Sequence, residues 1–110
     1  MTFLRCVALL VLASCGTAAL AQTSGLPPEF WDRPRTAGAL LSQDMVKGIV
    51  TAALAQPGAQ LVIHHAAGQE PQIQAEELRS WLGALAIDTR RIVLRNDLGA
   101  GAAMKMEIVP

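Results

Sequence analysis

Between Gln60 and Leu94 the chain changes its apolar period twice, and this stretch limits the fold more than any other. Leu61, Val62 and Ile63 form a short unbroken apolar run, the pattern of a strand covered on both faces. Pro71 suits the first turn of a helix, where a missing N–H costs nothing. Ala75, Leu78, Leu82 and Leu85 then recur on one helical stripe, with Trp81 beside it and Glu76, Glu77 and Arg79 on the outer side. From Arg91 to Arg95, Ile92 and Leu94 share one face while Arg91 and Arg95 fall on the other, as in a strand with one wet face. Strand, helix, strand is the resulting order.

The flanks extend it. Gly38 to Leu41 reads as a short strand, and Ser42 as the cap of a helix with Gln43 and Asp44 in its first turn. Met45, Val46, Ile49, Val50, Ala53 and Leu54 share one face of that helix, which Pro57-Gly58 ends. Asn96 to Ala102 is a glycine-rich turn, after which Met104, Met106 and Ile108 alternate with Lys105 and Glu107. The expected fold is α+β, in β-α-β-α-β-β order, with two helices packed on one face of a small mixed sheet of three to four strands. The short Gly/Ala connection between the last two strands predicts an antiparallel hairpin.

Residues 1–21 read as an export signal. Met1 to Arg5 is a short cationic start, Cys6 to Leu12 is apolar, and Ala19-Leu20-Ala21 has the small-x-small form that signal peptidase cleaves. A membrane anchor needs roughly 20 apolar residues, and Ser14, Gly16 and Thr17 break this run sooner. A second reading stands beside cleavage after Ala21: Leu12-Ala13-Ser14-Cys15 resembles a lipoprotein box, with Cys15 as the lipidated residue. The expectation is a periplasmic or secreted protein of a Gram-negative type envelope, or alternatively an outer-membrane lipoprotein. Cleavage after Ala21 leaves about 90 residues, one small domain. It also removes Cys6 and Cys15, and with them any disulfide or thiolate metal site. Residues 22–36, polar and proline-rich at first, read as a flexible N-terminal arm, and residues 37–110 as the folded domain.

Nine basic and nine acidic residues cancel, without a basic run, which argues against nucleic acid as a partner. Trp31, in a segment of alternating charge, is either a recognition anchor or a ring folded back over the core. His64 and His65 are the only histidines. Neighbours on a strand face opposite ways, so the pair cannot grip one metal ion, and zinc wants three or four ligands. No serine or acid stands at a spacing that implies a catalytic triad, and Glu76-Glu77 diverge on the helix surface. These observations predict a non-enzymatic protein without cofactor or metal. If the Trp81 ring is buried, truncating it to alanine should cost roughly 3–5 kcal/mol.

Over residues 41–94 the chain resembles the C-terminal, peptidoglycan-associated domain of outer membrane protein A and its relatives. In that family a helix leads through Pro-x-x and a strand to Gly-His-Thr-Asp, and a second helix ends in Tyr-Leu-x-x-x-Gly-Ile-x-x-x-Arg-Ile. Here Gln56-Pro57-Gly58-Ala59 leads into Leu61-Val62-Ile63-His64-His65, and Trp81-Leu82, Ala86-Ile87 and Arg91-Ile92 keep the later spacing. The resemblance implies an envelope module whose family binds diaminopimelate through an Asp and an Arg. Aligning the strands puts His65 at the family histidine, Ala67 at the Asp and Ile73 at the Arg, with a shortened loop between. Arg79 lies further along the helix and does not stand in directly. The chain is therefore expected to act by protein contact or weak cell-wall association, with peptidoglycan or an envelope protein as partner. The alternative is a secreted or lipid-anchored adaptor subunit of an envelope complex, touching membrane only through the lipid. Candidate binding residues are His65, Trp31 and Arg79.

Overall fold

The computed structural model describes residues 25–110, and the signal-peptide and Cys15 lipidation readings lie outside the described residues. The fold is α+β. Its elements are α1 (Ala37–Leu41), α2 (Asp44–Ala55), β1 (Gln60–Ala66), α3 (Gln69–Ala84), β2 (Ile92–Leu98) and β3 (Lys105–Val109), with a 3-10 turn over Pro28–Asp32 before them and another over Thr89–Arg91. The sheet is mixed and three-stranded, in the order β2-β1-β3.

The apolar run of β1 explains its central place. Leu61 and Ile63 are fully buried under the core, and Val62, which points to the other face, is buried as well, as suits a strand with a neighbour on each side. β2 pairs parallel to it, with Leu61 opposite Ile92, and β3 antiparallel, with Leu61 opposite Ile108. The expected hairpin between the last two strands is therefore corrected: β1 separates them. The link from Gly99 to Met104 steps across the end of β1, a span of about 10 Å between strands two places apart. That is more than a tight hairpin turn covers, and the run of glycine and alanine accommodates it.

One face of the sheet carries the core. Val46, Val50 and Ala53 of α2 and Ala75, Leu78 and Leu82 of α3 close over Leu61, Ile63, Ile92 and Met106. Trp81 packs half-buried against this cluster, its indole N–H donating to Glu77 at 3.2 Å, so its truncation should cost less than full burial implies.

Three further expectations are corrected. Residues Gly38 to Leu41 belong to a helix, not a strand: the Thr36 hydroxyl accepts from the Ala39 N–H at 3.0 Å and caps α1, which drops Leu40 into the core. Ser42 ends α1 instead of starting α2; its hydroxyl donates to the Ala39 carbonyl at 2.8 Å, and Gln43 precedes α2 without a side-chain cap. The segment taken for a flexible arm is docked from Gly25 onward. Leu26 and Phe30 enter the core, and the Leu26 N–H donates to the Met104 carbonyl at 2.8 Å. A Cβ on Gly25 would lie 2.5 Å from that of Ala103, so only glycine permits this approach. Pro27 and Pro28, which suggested a loose linker, instead stiffen the turn between two buried side chains.

α3 ends in a Schellman motif. The Ile87 N–H reaches back to the Leu82 carbonyl and Ala86 N–H to that of Gly83, both at 3.1 Å, with Ala86 at a φ of 79°. Arg91 then donates to the carbonyls of Ala53, Gln56 and Ala59, at 3.0, 2.7 and 2.8 Å, and so satisfies the C-terminal end of α2. Among the described residues no helix is long and apolar enough to cross a membrane.

Candidate functional site

The C-terminal end of β1 opens into a groove of about 350 Å³. The 3-10 turn contributes Trp31 and Asp32 to it, the first turns of α3 contribute Glu70, Pro71 and Gln74, and the Gly99–Met104 link closes a third side. The turn from β1 into α3 is only Ala67-Gly68, and Gly68 has a φ of 122°, which favours glycine. This tight turn brings the start of α3 right against the strand end.

His65 sits in this groove at 4% exposure, the one polar side chain buried among the described residues. Its Nδ1 donates to the Ala66 carbonyl at 2.8 Å. That bond fixes the proton of the neutral ring on Nδ1 and leaves Nε2 as an acceptor with no protein donor among the described residues. Asp32 and Glu70 are exposed and have no ion-pair partner among the described residues.

Trp31 divides this groove from a second hollow that contains Arg35, Ile73 and Glu77. Its ring meets Phe30 edge-on at 5.1 Å, and the Arg35 guanidinium lies 5.6 Å from the ring centroid. Arg35 is fully engaged there. It grips Glu77 at 2.7 and 3.0 Å and donates to the Trp31 carbonyl at 2.9 Å. The hydrogen bond from Arg35, aided by that from Trp81, holds the Glu77 carboxyl below the usual carboxylate range.

A different cluster lies on the opposite face of the sheet. His64 Nδ1 is 2.9 Å from Asp97 and Nε2 is 2.7 Å from Glu107, so one imidazole ties both edge strands to the centre. The β2 pairing slips between His65 and Ala66 and leaves Asp97 without an opposite residue, a bulge beside this contact. Partial burial alone would push the His64 ring down; the bonds to Glu107 and Asp97 outweigh it and raise its pKa above 6.5. The two carboxylates bond opposite nitrogens, and among the described residues no group of three acids, histidines or cysteines is arranged to hold a metal ion.

Of the residues singled out from the sequence, His65 and Trp31 meet in one groove. Arg79 does not join them: it is exposed, and its one side-chain hydrogen bond among the described residues goes to the Thr89 carbonyl, at 3.5 Å. Ile73, at the position the resemblance gives to an arginine, is 56% exposed, and no guanidinium lines the groove beside His65. Sequence reasoning missed Asp32 as a groove residue because it lay in the supposed arm. It missed the His64 cluster because Asp97 and Glu107 are 33 and 43 residues away; the alternation that turned Glu107 outward was the one usable signal. No family model, curated protein or solved structure matches this chain.

Proposed function

We propose that the chain is an exported, non-enzymatic module of the cell envelope with an outer membrane protein A-like fold, acting by protein contact or weak cell-wall association. The observation that carries this reading is the groove at the end of β1, lined by His65, Asp32, Glu70, the Gln74 amide and apolar or aromatic side chains, and by no serine, threonine, cysteine or lysine. Such a lining suits binding better than covalent chemistry.

The residues that matched the family spacing support the fold half of the reading. Leu82, Ala86 and Ile87 are the Schellman end of α3, Arg91 caps the end of α2, and Ile92 enters the core. Each does scaffold work, so the spacing can persist while Ala67 and Ile73 replace the family's ligand residues. Co-sedimentation with purified sacculi tests the wall-binding half. Protein found only in the supernatant removes it and leaves protein contact.

The adaptor reading draws on Ile73 and Leu54, apolar side chains more than half exposed at 56% and 52%. A photoreactive residue at Ile73 that crosslinks to no envelope protein would remove it.

A further inference from the structure

We propose that the groove over His65 is a receptor for the ammonium group of a lysine side chain presented by a protein partner. The proposal rests on the reading of the chain as a contact module and names what the contact recognises.

Apart from the Gln74 amide and the Trp31 indole N–H, the polar side chains that line the groove present hydrogen-bond acceptors. His65 offers Nε2 from a nearly closed position, and Asp32 and Glu70 bring two negative charges with no lysine or arginine among the lining residues. A buried acceptor without a donor is costly, so a ligand that supplies an N–H there gains more than a surface hydrogen bond would give. The ligand is thus a donor and a cation. The acids and the histidine are not arranged to close around a metal ion. They suit a group that makes one or two hydrogen bonds and feels the remaining charge through space.

Shape narrows the choice to lysine. Leu26, Trp31, Pro71 and Met104 give the groove apolar flanks against which a four-carbon stem can lie. The acceptors here are spread over His65, Asp32 and Glu70 instead of gathered on one group, which suits the separately directed donors of a compact ammonium, whereas a guanidinium is best used by a single two-pronged carboxylate. Glu77 is such a carboxylate, and Arg35 already occupies it in the neighbouring hollow.

The test is a titration of the purified, 15N-labelled protein with Nα-acetyl-lysine methylamide, followed at the indole N–H of Trp31 and the ring of His65. Both signals should shift saturably, with a midpoint on the order of millimolar for one isolated side chain. The Trp81 indole, held by Glu77, should stay still. Asp32→Asn and Glu70→Gln, both at exposed positions, should each weaken binding about three- to tenfold, and together abolish it. The uncharged norleucine analogue should not saturate. No saturable shift at Trp31, equal binding of the norleucine or arginine analogue, or an unaffected double variant would each overturn the proposal. Sacculus binding is read in a separate assay, so loss of wall affinity with an intact lysine response would sink the wall reading alone.

Discussion

His64 and His65 are adjacent in sequence and opposite in surroundings. His65 points to the helix-covered side, is nearly inaccessible and forms part of a groove; His64 points to the other side and is held between carboxylates of two edge strands. The pleat of β1 alone separates them. The covered side derives its stability from apolar packing, while the other side is held by a charged contact on polar strands. What the contrast teaches is that one strand can supply both a binding groove and an electrostatic tie without the two sharing a residue.

The largest expected effect probes the covered side. Ile63→Ala should cost about 2–5 kcal/mol, because it leaves a cavity beneath α2 and α3. Val62→Ala, one residue earlier and outside that cluster, should cost about 1–2 kcal/mol, mainly the transfer of the lost methyl groups. Urea denaturation of both variants measures the difference. Equal losses would break the comparison and show that the second face is packed as tightly as the first.

Much of this division was legible in the sequence. The helical stripes of α2 and α3 and the unbroken run of β1 were visible because each depends on local period. Strand pairing was not, because a Gly/Ala link serves both a hairpin and a step across a strand. Nor was α1: Thr36 as its cap is a local signal, but five residues of Ala, Gly and Leu carry almost no period. In the candidate site His65 and Trp31 could be singled out, yet their meeting depends on Leu26 and Phe30 docking in the core. That contact is non-local and leaves no trace in spacing.

Arg91 sharpens the comparison next, since it is the polar tie on the covered side. Arg91→Ala should cost about 1–3 kcal/mol by removing three charge-assisted hydrogen bonds at and just beyond the end of α2, of whose carbonyls those of Ala53 and Gln56 keep a backbone N–H donor. Arg91→Lys should recover only part of the loss, because an ammonium cannot spread its donors as the guanidinium does. Melting temperatures of the two variants decide this. Full rescue by lysine would mean that charge at the helix end matters more than the fork geometry.

Acid and alkali should separate the two sides further. The folded pKa of His64 is raised, so its tie is fully present below about 6.5 and is lost as pH rises through the folded value. The folded pKa of Glu77 is lowered, so the Arg35–Glu77 contact is present above about 4.5 and is lost as pH falls through the folded value. The His64 contact is partly exposed and should contribute no more than about 1 kcal/mol. Stability measured against pH should lose its alkaline decline in His64→Gln, and part of its acid decline in Glu77→Gln. A His64→Gln curve parallel to that of the parent would mean that the carboxylates do not hold the charged ring.

The smallest effect, and the one of opposite sign, belongs to Ala86. It occupies the left-handed position of the Schellman motif, where an L side chain costs about 1–2 kcal/mol and glycine costs nothing. Glycine also loses more freedom on folding, which returns about 0.5–1 kcal/mol of that gain. Ala86→Gly should therefore stabilise the protein by about 0.5–1 kcal/mol, a rise of several degrees in melting temperature for a domain this size. Ile87 and Leu82, joined across Ala86 by the 3.1 Å bond, are both core residues, so the helix must turn sharply here for the chain to reach β2. A loss of stability on substitution would show that the Ala86 methyl group makes a contact worth more than the strain it imposes, and would place this corner with the tightly packed side of the molecule.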